Sequence, residues 1–342
     1  MPQSVLKTDE VAAAGQPKPQ RALRIFSKLY LFMVFAVIIV LGACLSPYFL
    51  KIRNLTNIIT AASITSVLAV GQFFVIVTGG IDLSVGSLAA LATVISAIVL
   101  ANHYAAGFAI ALTLIVSALV GLANGALVVF ARITPFIATL AMLSILEGFS
   151  YIIQTGELIQ ISDTGFTSMF AGMAGPIPIP VIIFLAITAA AAFVMSNTTF
   201  GRELYAIGGN REASRLSGLP INRDLLIAYT VSGLLAGLAG LMLASQLLEG
   251  SSLVGRGYEL DSIAAVVVGG ASLFGGSGDP IRSVIGGLII ATILNIMNLM
   301  GIQSQPQLVI KGFVILIAVF FSSGDAPRRL WRSFRGSSQR RA

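Results

Sequence analysis

The sequence predicts an all-α integral membrane protein: a polytopic bundle of about ten transmembrane helices, with broken or re-entrant segments and both termini in the cytoplasm. Composition sets the class, since 56% of the 342 residues are hydrophobic and only 10% are charged, whereas a soluble domain carries about a quarter charged residues. Spacing sets the count: runs of about 17–25 apolar residues are long enough to cross about 30 Å of hydrocarbon as helices. The basic residues set the direction, because Lys and Arg accumulate in short cytoplasmic loops.

In chain order the spans fall near Tyr30–Leu50, Leu55–Thr78, Val85–Ala101, Ala106–Phe130, Pro135–Tyr151, Ile177–Met195, Leu225–Leu247, Ser262–Leu273, Val284–Met300 and Leu308–Ser322. The eighth is the shortest and reads as a full crossing or as a re-entrant segment. They divide the chain into a polar cytoplasmic tail (1–28), a membrane domain (29–323) with a long internal loop at 197–224, and a basic cytoplasmic tail (324–342). With the N-terminus inside, the cytoplasmic side collects Arg21, Arg24, Lys28, Arg132, Arg202, Arg211, Arg215, Arg223, Arg282 and the arginines of the C-terminal tail. The outside holds Lys51, Arg53 and Arg256. This asymmetry accounts for the net charge of +7 without nucleic-acid binding, and the basic tail suits contact with anionic membrane lipid. "LGAC" at 41–44 mimics a lipoprotein cleavage box, but the preceding stretch contains Asp9 and Glu10 and leads into a run of full spanning length, so a signal peptide is not expected.

Between the second and third spans lies "GGIDLSVGS", residues 79–87. A helix cannot simply stop in lipid, because each freed N–H or C=O costs several kcal/mol without a partner. Gly79 and Gly80 suit the left-handed closure of the second helix, and Asp82 or Ser84 suits a cap on the third. A second reading is a broken-helix gate whose Asp82 touches solute directly, since irregular backbone at membrane depth survives only against protein or a water-filled cavity. The pattern recurs at 269–277, "GGASLFGGS", with matches at Gly269, Gly270, Leu273, Gly276 and Ser277. On this topology the repeat is parallel, both copies ending an inward-running helix. An inverted repeat would change the span count between them by one. Gly121 with Gly125, and Gly233 with Gly237, have the small-xxx-small spacing of close helix packing, within one subunit or at a dimer seam.

The internal loop encodes a short helix. Asn210 is a good N-cap, Glu212 lies in the first turn, Arg215 lies toward the end, Gly218 fits the position after the helix and Pro220 forbids continuation. Ala213 and Leu216 form a small apolar face. A helix this short needs something to dock against, in its own chain or in a separate protein. No G-x-x-x-x-G-K-[ST] phosphate loop occurs in the chain.

"GGIDLSVGS", "TPFIATLAML" at 134–143, "REASRLSG" at 211–218 and "YELDSIAAVVVGGASLFGG" at 258–276, in that order, resemble the permease subunits of bacterial carbohydrate ABC importers, the ribose-type family, over roughly residues 50–320. The resemblance implies a permease dimer in the inner membrane, two ABC ATPase subunits beneath it and a periplasmic binding protein that delivers the sugar. It implies that Glu212, Ala213, Arg215, Leu216 and Gly218 form the coupling helix on the ATPase, with Ser214 in place of the alanine of the commonest importer loop. No cofactor is then expected on this chain, ATP and Mg being used by the partner, and the chain is not itself an enzyme. Inward candidates for a solute path are Gln72, Phe73, Asn124, Asn295 and Asn298, residues that serve equally as interhelical hydrogen bonds. The alternative is an ion-coupled secondary transporter using Asp82, Glu147, Glu259 or Asp261. It would not require the docking helix.

Overall fold

The computed structural model describes residues 19–322. The helices and short strands run α1 (Pro19–Leu45), α2 (Ile52–Ile76), α3 (Val85–Ala101), α4 (Ala106–Val129), α5 (Pro135–Gln154), β1 (Ile159–Gln160), α6 (Thr164–Ala171), β2 (Met173–Ala174), β3 (Ile177–Pro178), α7 (Ile179–Asn197), α8 (Thr199–Gly209), α9 (Arg211–Leu216), α10 (Ile221–Leu247), β4 (Glu249–Gly250), α11 (Tyr258–Val268), α12 (Pro280–Leu299) and α13 (Ser304–Ser322). The basic C-terminal tail at 324–342 and the first eighteen residues lie outside the described residues.

Among the described residues six helices, α2, α4, α5, α7, α10 and α12, are long and apolar enough to cross a membrane, which makes this a multi-pass membrane protein. Shorter apolar stretches at Tyr30–Leu45, Val85–Ala101 and Ser304–Ile317 accompany them. Of the about ten transmembrane helices expected, with broken or re-entrant segments among them, six reach spanning length as single apolar helices among the described residues. The eighth segment, expected as a full crossing or a re-entrant one, is a short helix: α11 has 11 residues and covers only about 16 Å at 1.5 Å per residue. Starts and stops follow local chemistry. Pro135 and Pro280 occupy the first turns of α5 and α12, where a missing N–H costs nothing, and Asp279 accepts from Ile281 N–H at 2.8 Å and Arg282 N–H at 3.2 Å.

Helix α10 is the hub, packed on α2, α3 and α4, while α12 packs on α2 and α11. The small-residue spacing is used inside the subunit. A methyl group on Gly121 would lie 3.1 Å from Gly233 Cα, and one on Gly237 would lie 2.5 Å from Ser117 Cβ, so glycines are what let the α4 and α10 backbones touch. Phe108, Leu119, Phe149 and Phe193 remain exposed on the outer helices, a surface suited to lipid.

The bundle has two distinct ends. At one, β1 pairs with β4, Ile159 opposite Gly250, and Ile161 N–H donates to Leu248 C=O at 2.9 Å. At the other, Val129, Ile207, Ile221 and Leu225 cluster where α4 ends, α8 ends and α10 begins.

Candidate functional site at the two helix breaks

Helix α2 ends in a Schellman motif. Gly79 adopts φ +83°, its N–H donates to Ile76 C=O at 2.9 Å and Gly80 N–H reaches Val75 C=O at 3.2 Å. Helix α11 ends the same way: Gly270 has φ +90°, with Gly270 N–H on Val267 C=O at 2.9 Å and Ala271 N–H on Val266 C=O at 3.2 Å. A left-handed residue of this kind is cheap only for glycine. The first glycine of one pair and the second of the other take the left-handed role, so the two copies correspond in geometry with a one-residue offset from their sequence match. Gly80 and Gly269 serve close approach instead. Methyl groups there would lie 2.7 Å from the Tyr229 hydroxyl and 2.5 Å from Arg282 C=O, respectively.

The breaks touch. Gly276 N–H donates to Val77 C=O at 2.8 Å, and a methyl group on Gly275 would lie 2.7 Å from Gly79 N and 2.9 Å from Gly208 Cα. Gly208, in the last turn of α8, packs against Val77 and Gly276, and Tyr205 of the same helix donates to Gly278 C=O at 3.0 Å. Both breaks and the α8–α9 loop therefore form one contiguous unit at one end of the bundle.

Asp82 lies just inside this unit, 1% exposed. Its Oδ1 accepts from Ser84 N–H at 3.0 Å and Ser84 Oγ at 2.7 Å, with the Asn124 amide at 3.5 Å. Its Oδ2 accepts from Ser232 Oγ at 3.0 Å. The backbone of Asp82 pairs with Gln72, whose amide nitrogen donates to the carbonyl at 3.0 Å and whose oxygen accepts from the N–H at 3.1 Å. Ser84 begins α3, but its side chain makes no capping bond. The carboxylate thus holds the turn before α3 and ties it to α4 and α10. Thr139 Oγ1 of α5 adds a bond to Ile81 C=O at 3.1 Å. Around the carboxylate, the buried Tyr229 hydroxyl and Asn124 Oδ1 find no partner among the described residues.

Before α11 the chain is a non-helical segment laid along α3. A methyl group on Gly250 would lie 2.5 Å from Ala97 Cβ, and one on Gly255 would lie 2.9 Å from Ala90 Cβ, so residues 250–255 follow α3 toward its N-terminus. Their backbone is satisfied by side chains, as irregular chain at membrane depth must be. Thr93 Oγ1 donates to Ser251 C=O at 3.2 Å and accepts from Ser251 N–H at 3.1 Å. Gln154 Oε1 accepts from Ser252 N–H at 2.7 Å. Helix α11 then starts beside Gly86, against which the Glu259 carboxylate packs.

Helix α9 forms as its caps dictate. Asn210 Oδ1 accepts from Ala213 N–H at 2.9 Å, and Gly218 has φ +76°. Glu212 and Arg215 form a two-bond pair at 3.0 and 2.6 Å, both exposed, and this guanidinium holds the Glu212 carboxyl below the usual carboxylate range. Ala213 is exposed and Leu216 is 74% exposed, so the apolar face has no cover among the described residues. Ser214 is buried instead, facing its own protein.

The five solute-path candidates are not brought together. Gln72, Phe73 and Asn124 are fully buried around the first break. Asn295 exchanges amide bonds with Asn54 at 2.9 and 3.0 Å, and Asn298 accepts from Gln307 at 2.8 Å. The other acids are also engaged: Glu147 with Arg256 at 3.4 Å, Asp261 with Lys311 at 2.7 Å, and Glu259 with Gly257 N–H at 3.1 Å. Tyr205, Tyr229 and Ser232 join the site without having been anticipated; the polar pair Tyr229 and Ser232, three apart on an apolar helix, was the available signal.

Residues 54–319 match the family described as "Branched-chain amino acid transport system / permease component". The ribose import permease protein RbsC of Escherichia coli (strain K12) is 39% identical over 305 residues, 86% of this chain and 95% of the relative. The D-allose transport system permease protein AlsC of the same strain is 35% identical over 308 residues, 90% and 94% of the two chains. The L-arabinose transport system permease protein AraH, also of that strain, is 36% identical over 312 residues, 91% and 95%. No solved structure matches significantly.

Proposed function

Because the chain belongs to the branched-chain amino acid transport system / permease component family, we propose that it is the membrane subunit of an ATP-driven importer of a monosaccharide or related polyol. The relatives named for ribose, allose and arabinose support the substrate class. The observation that carries the mechanism is the exposed, doubly capped α9, joined through α8 and Gly208 to both helix breaks. A separate ABC ATPase docks on Ala213 and Leu216 and supplies ATP and Mg; this chain makes no bonds in the reaction.

In this reading nucleotide binding moves α9 and α8 as one piece. Gly208, wedged between Val77 and Gly276, passes that displacement to both breaks, and the turn held by Asp82 shifts against α4 and α10. The charge distribution supports an orientation with the breaks, α8 and α9 on the cytoplasmic face of a bacterial inner membrane. The β1–β4 ribbon then faces the periplasm, where a sugar-binding protein delivers solute. A homodimer places two α9 helices over two ATPase subunits.

Reconstitution tests the proposal. Proteoliposomes holding this chain, the ATPase and the binding protein should accumulate sugar only with ATP inside the ATPase compartment. Accumulation by the chain alone under a proton or sodium gradient would replace the proposal with ion-coupled transport.

A further inference from the structure

The non-helical segment before α11 carries a cation to membrane depth. It runs from beside Ala97 to beside Ala90 of α3, about 10 Å inward from the β1–β4 end at 1.5 Å per residue. Arg256 follows, and its Nε stands 3.4 Å from Oε1 of Glu147 on α5. From Glu147 to Gln154, the last residue of α5, is again about 10 Å. Both measures put the pair well inside the roughly 30 Å of hydrocarbon that α5 is long enough to cross. The pair is not buried: the Arg256 side chain is 64% exposed and that of Glu147 36%. Tyr151, one turn beyond Glu147, is exposed too, as are Leu253 and Leu260 on either side of Arg256 in sequence. The nearby acids are taken elsewhere, Asp261 by Lys311 at 2.7 Å and Glu259 by Gly257 N–H at 3.1 Å.

We propose that this face lines the passage of the transported solute, with Arg256 and Glu147 exchanging hydrogen bonds with its hydroxyl groups. Ionised side chains at such depth are costly against lipid, so they face protein or a water-filled cavity and mark solute pathways. Transporter sites also form where the helices are broken near the midplane, and here the broken segment and the exposed pair coincide. A guanidinium offers donors and a carboxylate acceptors, which together match the adjacent hydroxyls of a sugar. Tyr151, four residues from Glu147 and so on the same side of α5, offers an apolar ring face to the C–H side of the same solute. The inference rests on reading the chain as a sugar permease.

The test uses the reconstituted importer, this chain with the ATPase and the binding protein, and ribose, D-allose and L-arabinose as probes. In a Cys44→Ser background, Leu253→Cys should react with a small membrane-impermeant thiol reagent in the nucleotide-free or the ATP-bound state, and the adduct should block uptake. Arg256→Gln and Glu147→Gln should keep the unfolding midpoint near wild type, because an exposed ion pair adds little stability. Each should lower the sugar moved per ATP hydrolysed by about tenfold, the worth of a hydrogen bond to a charged group, while hydrolysis stimulated by the loaded binding protein stays near wild type. A Leu253→Cys chain inert in both states, undiminished uptake per ATP in both glutamine variants, or hydrolysis lost in step with uptake would each overturn the proposal. So would a dimer that splits on Arg256→Gln in light scattering, which would make the pair a protein contact. Uptake of none of the three sugars by the wild-type importer would remove the sugar reading instead, and the cysteine reactivity would still decide whether this face meets water.

Discussion

Gly276 N–H donates to Val77 C=O at 2.8 Å, so the two glycine breaks, far apart in sequence, are bonded directly to each other. Gly208 packs against both partners of that bond. A methyl group there must displace backbone, and overpacking of this kind costs about 1–3 kcal/mol. Gly208→Ala should therefore lower the thermal unfolding midpoint in detergent. Gly209→Ala should leave it nearly unchanged, since beyond its own turn of helix no atom of the described residues lies within 4 Å of the added carbon. Equal effects of the two would mean that Gly208 is not wedged.

Asp82 collects donors from three elements, and its neutral amide analogue keeps an acceptor for Ser84 while losing part of the rest. Asp82→Asn should cost about 1 kcal/mol in denaturant unfolding. Asp82→Leu leaves several buried donors unpaired and should cost about 3 kcal/mol or more, at about 1–3 kcal/mol per orphaned group. Similar small losses in both variants would show that the carboxylate carries no structural load.

Thr93 serves both the N–H and the C=O of Ser251 with one hydroxyl. Thr93→Val keeps the shape and removes both bonds, and should destabilise the protein by about 2 kcal/mol or more. Thr93→Ser should recover most of that stability, with transport following the same order. No recovery by serine would mean that the methyl group's packing, not the hydroxyl, holds the non-helical segment.

The orientation proposed from the basic residues predicts opposite labelling at the two ends. A cysteine at Ser217, next to α9, should be shielded from a membrane-impermeant reagent in intact cells, whereas one at Thr164, at the start of α6, should react. The reverse pattern would place α9 outside and remove it from any cytoplasmic partner.

Apolar runs bounded by turn residues made most helices legible: α3 was readable to the residue, because Ser84 and the turn after Ala101 bracket it. The α9 caps were equally plain, since capping is local chemistry. The non-helical segment before α11 was not, because what allows it is Thr93 and Gln154, remote in sequence. Likewise Ser232 and Asn124 look in sequence like any polar residues within a span, and only the fold brings them to Asp82. Helix α8 did leave a sign: Phe200, Leu204 and Ile207 recur at helical spacing, and the latter two are buried. Asn295 and Asn298 could be read either way in sequence, because an amide that joins helices and one that meets a sugar share the same chemistry; in the fold they bond Asn54 and Gln307.

The exposed face of α9 is proposed to receive the work of ATP hydrolysis, and Leu216→Glu probes that role. Leu216 is 74% exposed, so the variant should fold and insert normally, as judged by its yield and unfolding midpoint. A carboxylate buried at an apolar docking surface without a partner costs several kcal/mol. Reconstituted with the ATPase and the binding protein, Leu216→Glu should lose solute-stimulated ATP hydrolysis and uptake by at least about tenfold. Wild-type hydrolysis and uptake in the folded variant would contradict the account.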